Sequence, residues 1–476
     1  MIQITIREIL EATSGVLLSG DPSMKVSRYS IDSRDAAAGT LFTAVTGGNT
    51  DGHSYVEKAF ENGADAALVS LPEVPGVYGP KGVAERFRGR AVILVPDTVE
   101  ALQKAGAKKR SLYRIPAVGV TGSVGKTTSR EMISYALSAG LKVFTTGKNY
   151  NNRIGVPLTL SEISDEHEIA VLELGMNVPG ELGTISALTD LDCALITNVG
   201  VAHIEFYGTK DAIAREKFTV TKGFTSGSRE EKMLFLNCDD PLLMKYRGLG
   251  NCPVRTFGLS EGADYRAKSI RLDENGRMVF TYERYGKTLF EVTLSVLGTH
   301  NVSNAVAALA VADRYGVDPV KAAESLGTFT GFRGRLERIE KDGILYIDDT
   351  YNASPVSMLS GLKVLSGILP EDSRGRRIAV LGDMFELGEH ARHYHEEVGR
   401  MAADLRIDRL YLLGENAVHL GEAYRLEGGK AEVVNASSTE ELIALLKEEL
   451  RPGDAAYFKA SNGMHFRKVT DGLLQR

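Results

Sequence analysis

Cysteine is scarce in this chain: Cys193, Cys238 and Cys252 are its three, an odd number with no C-x-x-C spacing. That excludes a disulfide framework and a cysteine-built zinc site, and makes a reducing cytoplasm the expected location. No apolar stretch is long enough to span a bilayer, and Glu8 and Glu11 interrupt the N-terminus where a signal peptide would be apolar. An excess of positive charge is missing too. With a formal net charge of −6, the chain as a whole steers neither nucleic acid nor an anionic membrane surface toward itself. Internal repeats, low-complexity stretches and heptads are absent, so a monomer is expected.

What is present is a 476-residue chain, 43% hydrophobic and 25% charged, the composition of a soluble globular protein. Its length suggests about three domains. Short apolar runs alternate with helical patterns, giving an α/β class. The expected units are 1–113, an N-terminal α/β domain; 114–330, a central domain with a parallel sheet of phosphate-loop ATPase type; and 331–476, a C-terminal Rossmann-like domain.

The central unit holds the strongest signal. An apolar run, Ile115 to Val120, reads as a buried strand; it ends at Gly122-Ser123-Val124-Gly125-Lys126-Thr127-Thr128, and a helix begins near Thr127. Strand, glycine turn and helix N-terminus together make a phosphate cradle, with Lys126 reaching β/γ-phosphates and the Thr127 hydroxyl a Mg²⁺ ion. The stricter pattern wants glycine where Val120 stands. Glu173 ends another apolar strand, Ile169 to Leu174, where a buried carboxylate must be paired or bind metal. A third strand, Cys193 to Asn198, leads to His203; Thr127, Glu173 and His203 then form a candidate Mg²⁺ set. Lys217, on a helix over 211–221, reads by itself as part of a solvated face.

Other hooks cluster at chain reversals. Ser33, Arg34 and His53 suit either a ligand rim or simple turn chemistry. The amide-rich segment Asn149 to Pro157 suits turns or ligand contacts. His300, Asn301 and Asn304 open an alanine-rich helix as caps or hooks, and Ser438 with Glu441 reads as a capping box. Asp348 and Asp349 end a strand of a hairpin turned at Lys341-Asp342-Gly343. His390, His393 and His395 read as a solvated face beside Arg392, Glu396 and Glu397, not as a metal site. By themselves these residues define an ATP-dependent transferase or ligase.

Along its whole length and in order, the chain resembles the Mur ligases. The shared segments are Asp32-Ser33-Arg34, Asp51-Gly52-His53, Thr121 to Thr127, Asn149 to Pro157, Glu173-Leu174-Gly175, His203, His300-Asn301-x-x-Asn304, Asp348 to Pro355 and Leu381 to Gly388. The family's loop also lacks the first glycine, so Val120 agrees with it. An Asp-Asn-Pro-Arg segment and a Ser-Pro-His segment, marks of other branches, are absent, while Asp348 to Pro355 looks like the branch that handles D-alanyl-D-alanine. Ser354, and Ala460 and Asn462 within Lys459 to Met464, depart from that branch's usual residues and bear on dipeptide tolerance.

The resemblance implies amide-bond formation in peptidoglycan precursor synthesis: ATP drives the joining of D-alanyl-D-alanine to UDP-N-acetylmuramoyl-tripeptide through an acyl phosphate. It implies that Gly122 to Thr128, Asn301, Asn304, Arg335 and Asp349 bind ATP, Asn304 at the adenine and Asp349 at the ribose. Lys126, Glu173, His203 and Lys217 would be catalytic. Two Mg²⁺ ions are implied, held by Thr127, Glu173, His203 and Lys217, the last as a CO₂-derived carbamate. Ser33, Arg34, Gly47, Asp51 and His53 would hold the uridine diphosphate, Asn151 and Asn152 a more distal part of that substrate, and Tyr351 and Asn352 further substrate contacts. The competing readings are a relative using another amine and an ATP-binding protein without chemistry.

Overall fold

A computed structural model describes residues 2–48, 50–71, 79–147, 149–370 and 373–475. Three large sheets follow one another along the chain. The first runs Val16–Ser19, Ala91–Leu94, Ala66–Val69, Thr40–Thr43, Arg28–Ser30, parallel except for its first pair. Its central strands are sealed on both faces, which is why they read as unbroken apolar runs. All three parallel crossovers leave from the same strand ends, so the loops at 31–35, 44–52 and 70 share one rim.

The second sheet has nine strands. Ala117–Thr121 lies at its heart between Ile169–Glu173 and Cys193–Ile196, with Glu173 opposite Val120 and Ile196 opposite Thr121. Helix Lys126–Ser138 leaves the middle strand and packs on helix Thr299–Arg314, whose buried alanines allow the close approach. The expectation of a parallel sheet holds for the strands around the loop. Beyond Val254–Gly258, the sheet continues as an antiparallel meander, Tyr265–Leu272, Met278–Arg284 and Lys287–Leu294, that the sequence pattern did not reveal.

The third sheet orders Glu337–Lys341, Ile344–Asp348, Ala455–Lys459, Arg377–Gly382, Arg409–Leu413, Glu432–Ala436, parallel after the opening hairpin. That hairpin turns on Asp342 (φ 54°) and Gly343 (φ 74°), the two left-handed residues a tight turn requires. Helix Thr439–Glu449 is capped by the Ser438 hydroxyl, but the return arm differs from a capping box: Glu441 accepts from the Ser437 N–H at 2.7 Å. Among the described residues no helix is long and apolar enough to cross a membrane.

Candidate functional site

Three neighbouring strands of the second sheet end together, and the candidate site stands on those ends. After Thr121 the chain turns through Gly122 (φ 152°) and Gly125 (φ 86°). A Cβ on Gly122 would lie 1.9 Å from Thr197 Oγ1, so only glycine fits. The loop is clasped from the next strand: Ser123 N–H donates to the Asn198 carbonyl (3.1 Å) and Val124 N–H to Asn198 Oδ1 (3.0 Å), while Thr197 Oγ1 and Asn198 Nδ2 donate to the Val124 carbonyl. Thr197 and Asn198 escaped the sequence reading, since one threonine and one asparagine after a strand carry no pattern. Lys126 folds back on its own loop, donating to the Gly122 carbonyl at 2.8 Å. Burial lowers its pKa, Arg335 lowers it further, and Glu173 and Glu386 act the other way. An anionic ligand would complete this pocket's charge balance.

Glu173 is buried. Its Oε1 accepts from Asn151 Nδ2 at 2.7 Å, and Arg130 Nη1 lies 3.9 Å from Oε2, which accepts no hydrogen bond from the described residues. A buried carboxylate oxygen without a donor is a place for a cation. The Asn151 carbonyl also receives the Gly175 N–H, so Asn151 positions the carboxylate. Asn152 is exposed, and its Oδ1 accepts from the N–H groups of Ile154 and Gly155, starting helix Gly155–Glu162 inside what reads as a loop.

Lys217 overturns the solvated-face expectation. It is fully buried in helix Lys210–Phe218, and among the described residues its Nζ meets Met176 Sδ, at 3.8 Å. Burial, followed by repulsion from Lys126, pushes its pKa well below the ordinary value, with Asp240 and Glu216 opposing. The helix has no strongly amphipathic pattern to announce this; packing alone submerges one of its two last-turn cations.

The C-terminal domain faces the same strand ends. Arg335 stacks its guanidinium 3.9 Å from the Tyr351 ring centroid and donates to Thr127 Oγ1 at 3.3 Å, bridging the two domains. Asp349 is anchored by Lys459 Nζ (2.5 Å), the Tyr457 hydroxyl (3.1 Å) and the Leu336 N–H (3.2 Å), and burial raises its pKa. Lys459 also donates to the Asn352 carbonyl at 2.9 Å, so one cation ties down 349–352. His203, in a left-handed conformation, presents Nδ1 to Glu386 Oε2 at 3.0 Å.

Asn301 and Asn304 do not cap helix Thr299–Arg314. They lie inside it, Asn304 Nδ2 bonded to Asn301 Oδ1 and Asn304 Oδ1 to the Ser129 hydroxyl, with Gly125 close by. Burial and then Lys459 lower the pKa of His300 to about 4. His395 also departs from its expectation. It is sealed in the core, taking the Met384 N–H on Nε2 (3.0 Å), with Nδ1 2.7 Å from the Ala391 carbonyl. Among the described residues, no group of three or more His, Cys, Asp or Glu side chains stands ready for a metal.

At the rim of the first sheet, Arg34 is exposed and paired with Asp32 at 2.6 Å, and Ser33 is buried. Gly47 N–H bonds the Thr50 carbonyl, and Gly47, Gly48 and Thr50 are exposed. His53 is buried with both nitrogens occupied: Ser70 N–H donates to Nε2 (2.9 Å), so Nδ1 carries the proton given to Asp51 Oδ1 (2.6 Å). It shapes the rim from beneath, whereas Arg34, Gly47 and Asp51 face outward.

Three α/β domains around a phosphate cradle, with a buried carboxylate at the adjoining strand end and a buried lysine on helix Lys210–Phe218, define an ATP-dependent ligase. The chain belongs to the Mur ligase family. Residues 25–110 match the Mur ligase catalytic domain, 120–312 the Mur ligase middle domain, and 334–462 the Mur ligase glutamate ligase domain. It is 34% identical to the UDP-N-acetylmuramoyl-tripeptide–D-alanyl-D-alanine ligase of Bacillus subtilis, covering 100% of this chain and 99% of that protein. The enzyme of that name from Synechocystis is also 34% identical, over 98% and 96%. Among solved structures, MurF from Acinetobacter baumannii superposes with a TM-score of 0.86 at 30% identity over 100% of both chains. MurF from Thermotoga maritima, in complex with ADP, gives 0.79 at 29% identity over 94% of this chain and 97% of that one.

Proposed function

We propose that this chain joins D-alanyl-D-alanine to UDP-N-acetylmuramoyl-tripeptide, converting ATP to ADP and phosphate, in peptidoglycan precursor synthesis. The observation that carries this is full-length similarity to ligases of that activity, with Lys126, Glu173 and Lys217 gathered around one phosphate loop. The N-terminal rim takes the nucleotide end of the substrate, the central domain ATP, and the C-terminal domain the dipeptide. The 1–113, 114–330 and 331–476 boundaries, a cytoplasmic location and a monomeric state belong to the same proposal.

The tripeptide's terminal carboxylate attacks the γ-phosphorus, and the bond to ADP breaks. The dipeptide amine then attacks the acyl carbon, loses a proton, and expels phosphate. Little covalent work falls to the protein, so positioning and charge neutralisation dominate. Lys126 gives its ammonium to the β/γ-phosphates instead of the Gly122 carbonyl. Arg335 leaves Thr127 to meet phosphate oxygens. Asn301 and Asn304 flank the nucleotide from the neighbouring helix, and Asp349 orders the segment beneath the ribose. Glu173 Oε2, the Thr127 hydroxyl and His203 would hold Mg²⁺, which offsets repulsion between carboxylate and triphosphate when bound.

Lys217 fits carbamylation. Its neutral Nζ attacks CO₂, an N–C bond forms, and a proton leaves, so a cation-forming group becomes an anionic oxygen donor. A native mass lacking one CO₂ under bicarbonate, with an unmodified amine in electron density, would refute this.

Incubation with ATP and both substrates should yield the pentapeptide product by mass, one phosphate per amide. Lys126→Ala should lower the rate on the order of 10²–10³-fold. Unchanged amide formation in that variant, or phosphate release without amide, would refute the assignment.

A further inference from the structure

We propose that Glu386 is a positioning residue for His203: this C-terminal carboxylate fixes the imidazole with its proton on Nδ1 and its Nε2 lone pair outward, so docking of the C-terminal domain completes the metal site. The inference rests on the role of His203 as a metal ligand given above.

The contact is built from both sides. His203 (φ 63°) and Glu386 (φ 61°) each adopt the left-handed conformation uncommon outside glycine, and together they place Nδ1 3.0 Å from Oε2. Among the described residues, Glu386 is the carboxylate that meets this ring.

The segment bearing Glu386 is held from behind. Met384 N–H donates to His395 Nε2 (3.0 Å), Phe385 N–H to Ser461 Oγ (2.8 Å), and Ser461 N–H to the Asp383 carbonyl (3.0 Å). Asp383 Oδ1 in turn accepts from the Asn416 and Ala417 N–H groups. On the other side the segment is pressed onto the His203 turn. A Cβ on Gly388 (φ 53°) would stand 3.0 Å from Glu205 Cβ, and Met384 and Leu387 share a hydrophobic core with Val201 and Ile204. None of this scaffolding is needed to bind phosphate. It aims one carboxylate at one imidazole.

A metal-bound histidine commonly donates its other N–H to a carboxylate, which sets the tautomer and strengthens the donor nitrogen. Here that partner comes from a different domain. Metal affinity and domain docking are therefore linked, and by reciprocity a bound metal favours the docked arrangement.

The test uses the full chain and Glu386→Ala and Glu386→Gln variants. With ¹⁵N-histidine labelling and no metal, the parent protein should show His203 protonated on Nδ1. Glu386→Ala should show a mixture of both tautomers. Mn²⁺ titrated in the presence of ADP should bind Glu386→Ala about 10- to 100-fold more weakly, with Glu386→Gln between, because its amide oxygen still accepts. In phosphate release, the half-saturating Mg²⁺ concentration should rise while the rate at saturation stays within a few-fold. An unchanged tautomer in Glu386→Ala, or unchanged Mn²⁺ affinity, overturns the proposal. So does a rate loss that Mg²⁺ does not restore, which marks a merely structural role. Failure of the parent protein to form amide overturns the ligase reading instead, and leaves the tautomer and Mn²⁺ arms to decide this one.

Discussion

Lys109 and Lys217 are both sealed inside the molecule, and their surroundings differ in kind. Lys109, on helix Thr98–Arg110, donates to the Ser27 carbonyl of the first sheet's domain and to the Ser161 carbonyl (2.5 Å) of the central one, with the Tyr29 ring centroid 5.6 Å away. Lys217 has a thioether at 3.8 Å and a repelling neighbour in Lys126. The first is a cation whose hydrogen bonds sew two domains together. The second is an amine whose charged form burial and Lys126 both disfavour. Burial alone therefore says little about a lysine; what the Nζ touches distinguishes a seam from a reactive group.

Substitution by methionine should separate the two. Lys217→Met should lower amide formation on the order of 10²-fold or more through loss of a metal donor. Stability should hold or rise, since no hydrogen bond to oxygen is lost and an apolar side chain of similar length avoids the cost of burying a polar amine. Lys109→Met should do the reverse. Two carbonyls lose their donor, costing about 1–3 kcal/mol in urea unfolding, while the rate per folded molecule stays within about two-fold. Equal loss of activity and stability in both variants would erase the distinction.

A smaller effect comes from pH. Burial lowers the Lys109 pKa to about 8 from an ordinary 10.5, with Glu162 opposing. Between those values the unfolded chain binds more protons, so stability should rise as pH climbs from 8 to 10.5. Lys109→Met should lack that rise. His300 carries the same logic into the acid range. With its pKa lowered to about 4, the unfolded chain again binds more protons, and stability should fall as pH drops from 6.5 toward 4. His300→Gln should flatten this limb, read by thermal melting across that window.

Much of the candidate site was legible because parallel strands sealed on both faces write themselves as apolar runs. Their ends then mark where Lys126, Glu173 and His203 must stand. Lys217 and His395 were misread as solvated for one reason: a helix of mixed polar and charged residues does not disclose which of them the rest of its own domain will cover. Asn198 carries no local signature, and Glu386 shows only as part of the shared Leu381 to Gly388 segment, since their contacts run across strands and domains. The meander at 265–294 was missed because its alternating residues include many charges, the mark of strands with one wet face.

That meander leaves Lys287–Leu294 as the outer border of the longest sheet. An open border offers unpaired backbone groups to any strand that drifts past, the beginning of aggregation. Here Lys287 and Glu291 are exposed along it, and Glu291 is locked to Arg271 at 2.8 Å on a strand two places inward. Another chain docking on this border would have to bury both charges. Replacing Lys287 and Glu291 with valine would preserve the strand and remove its guard, turning a nine-stranded sheet into a template for self-association.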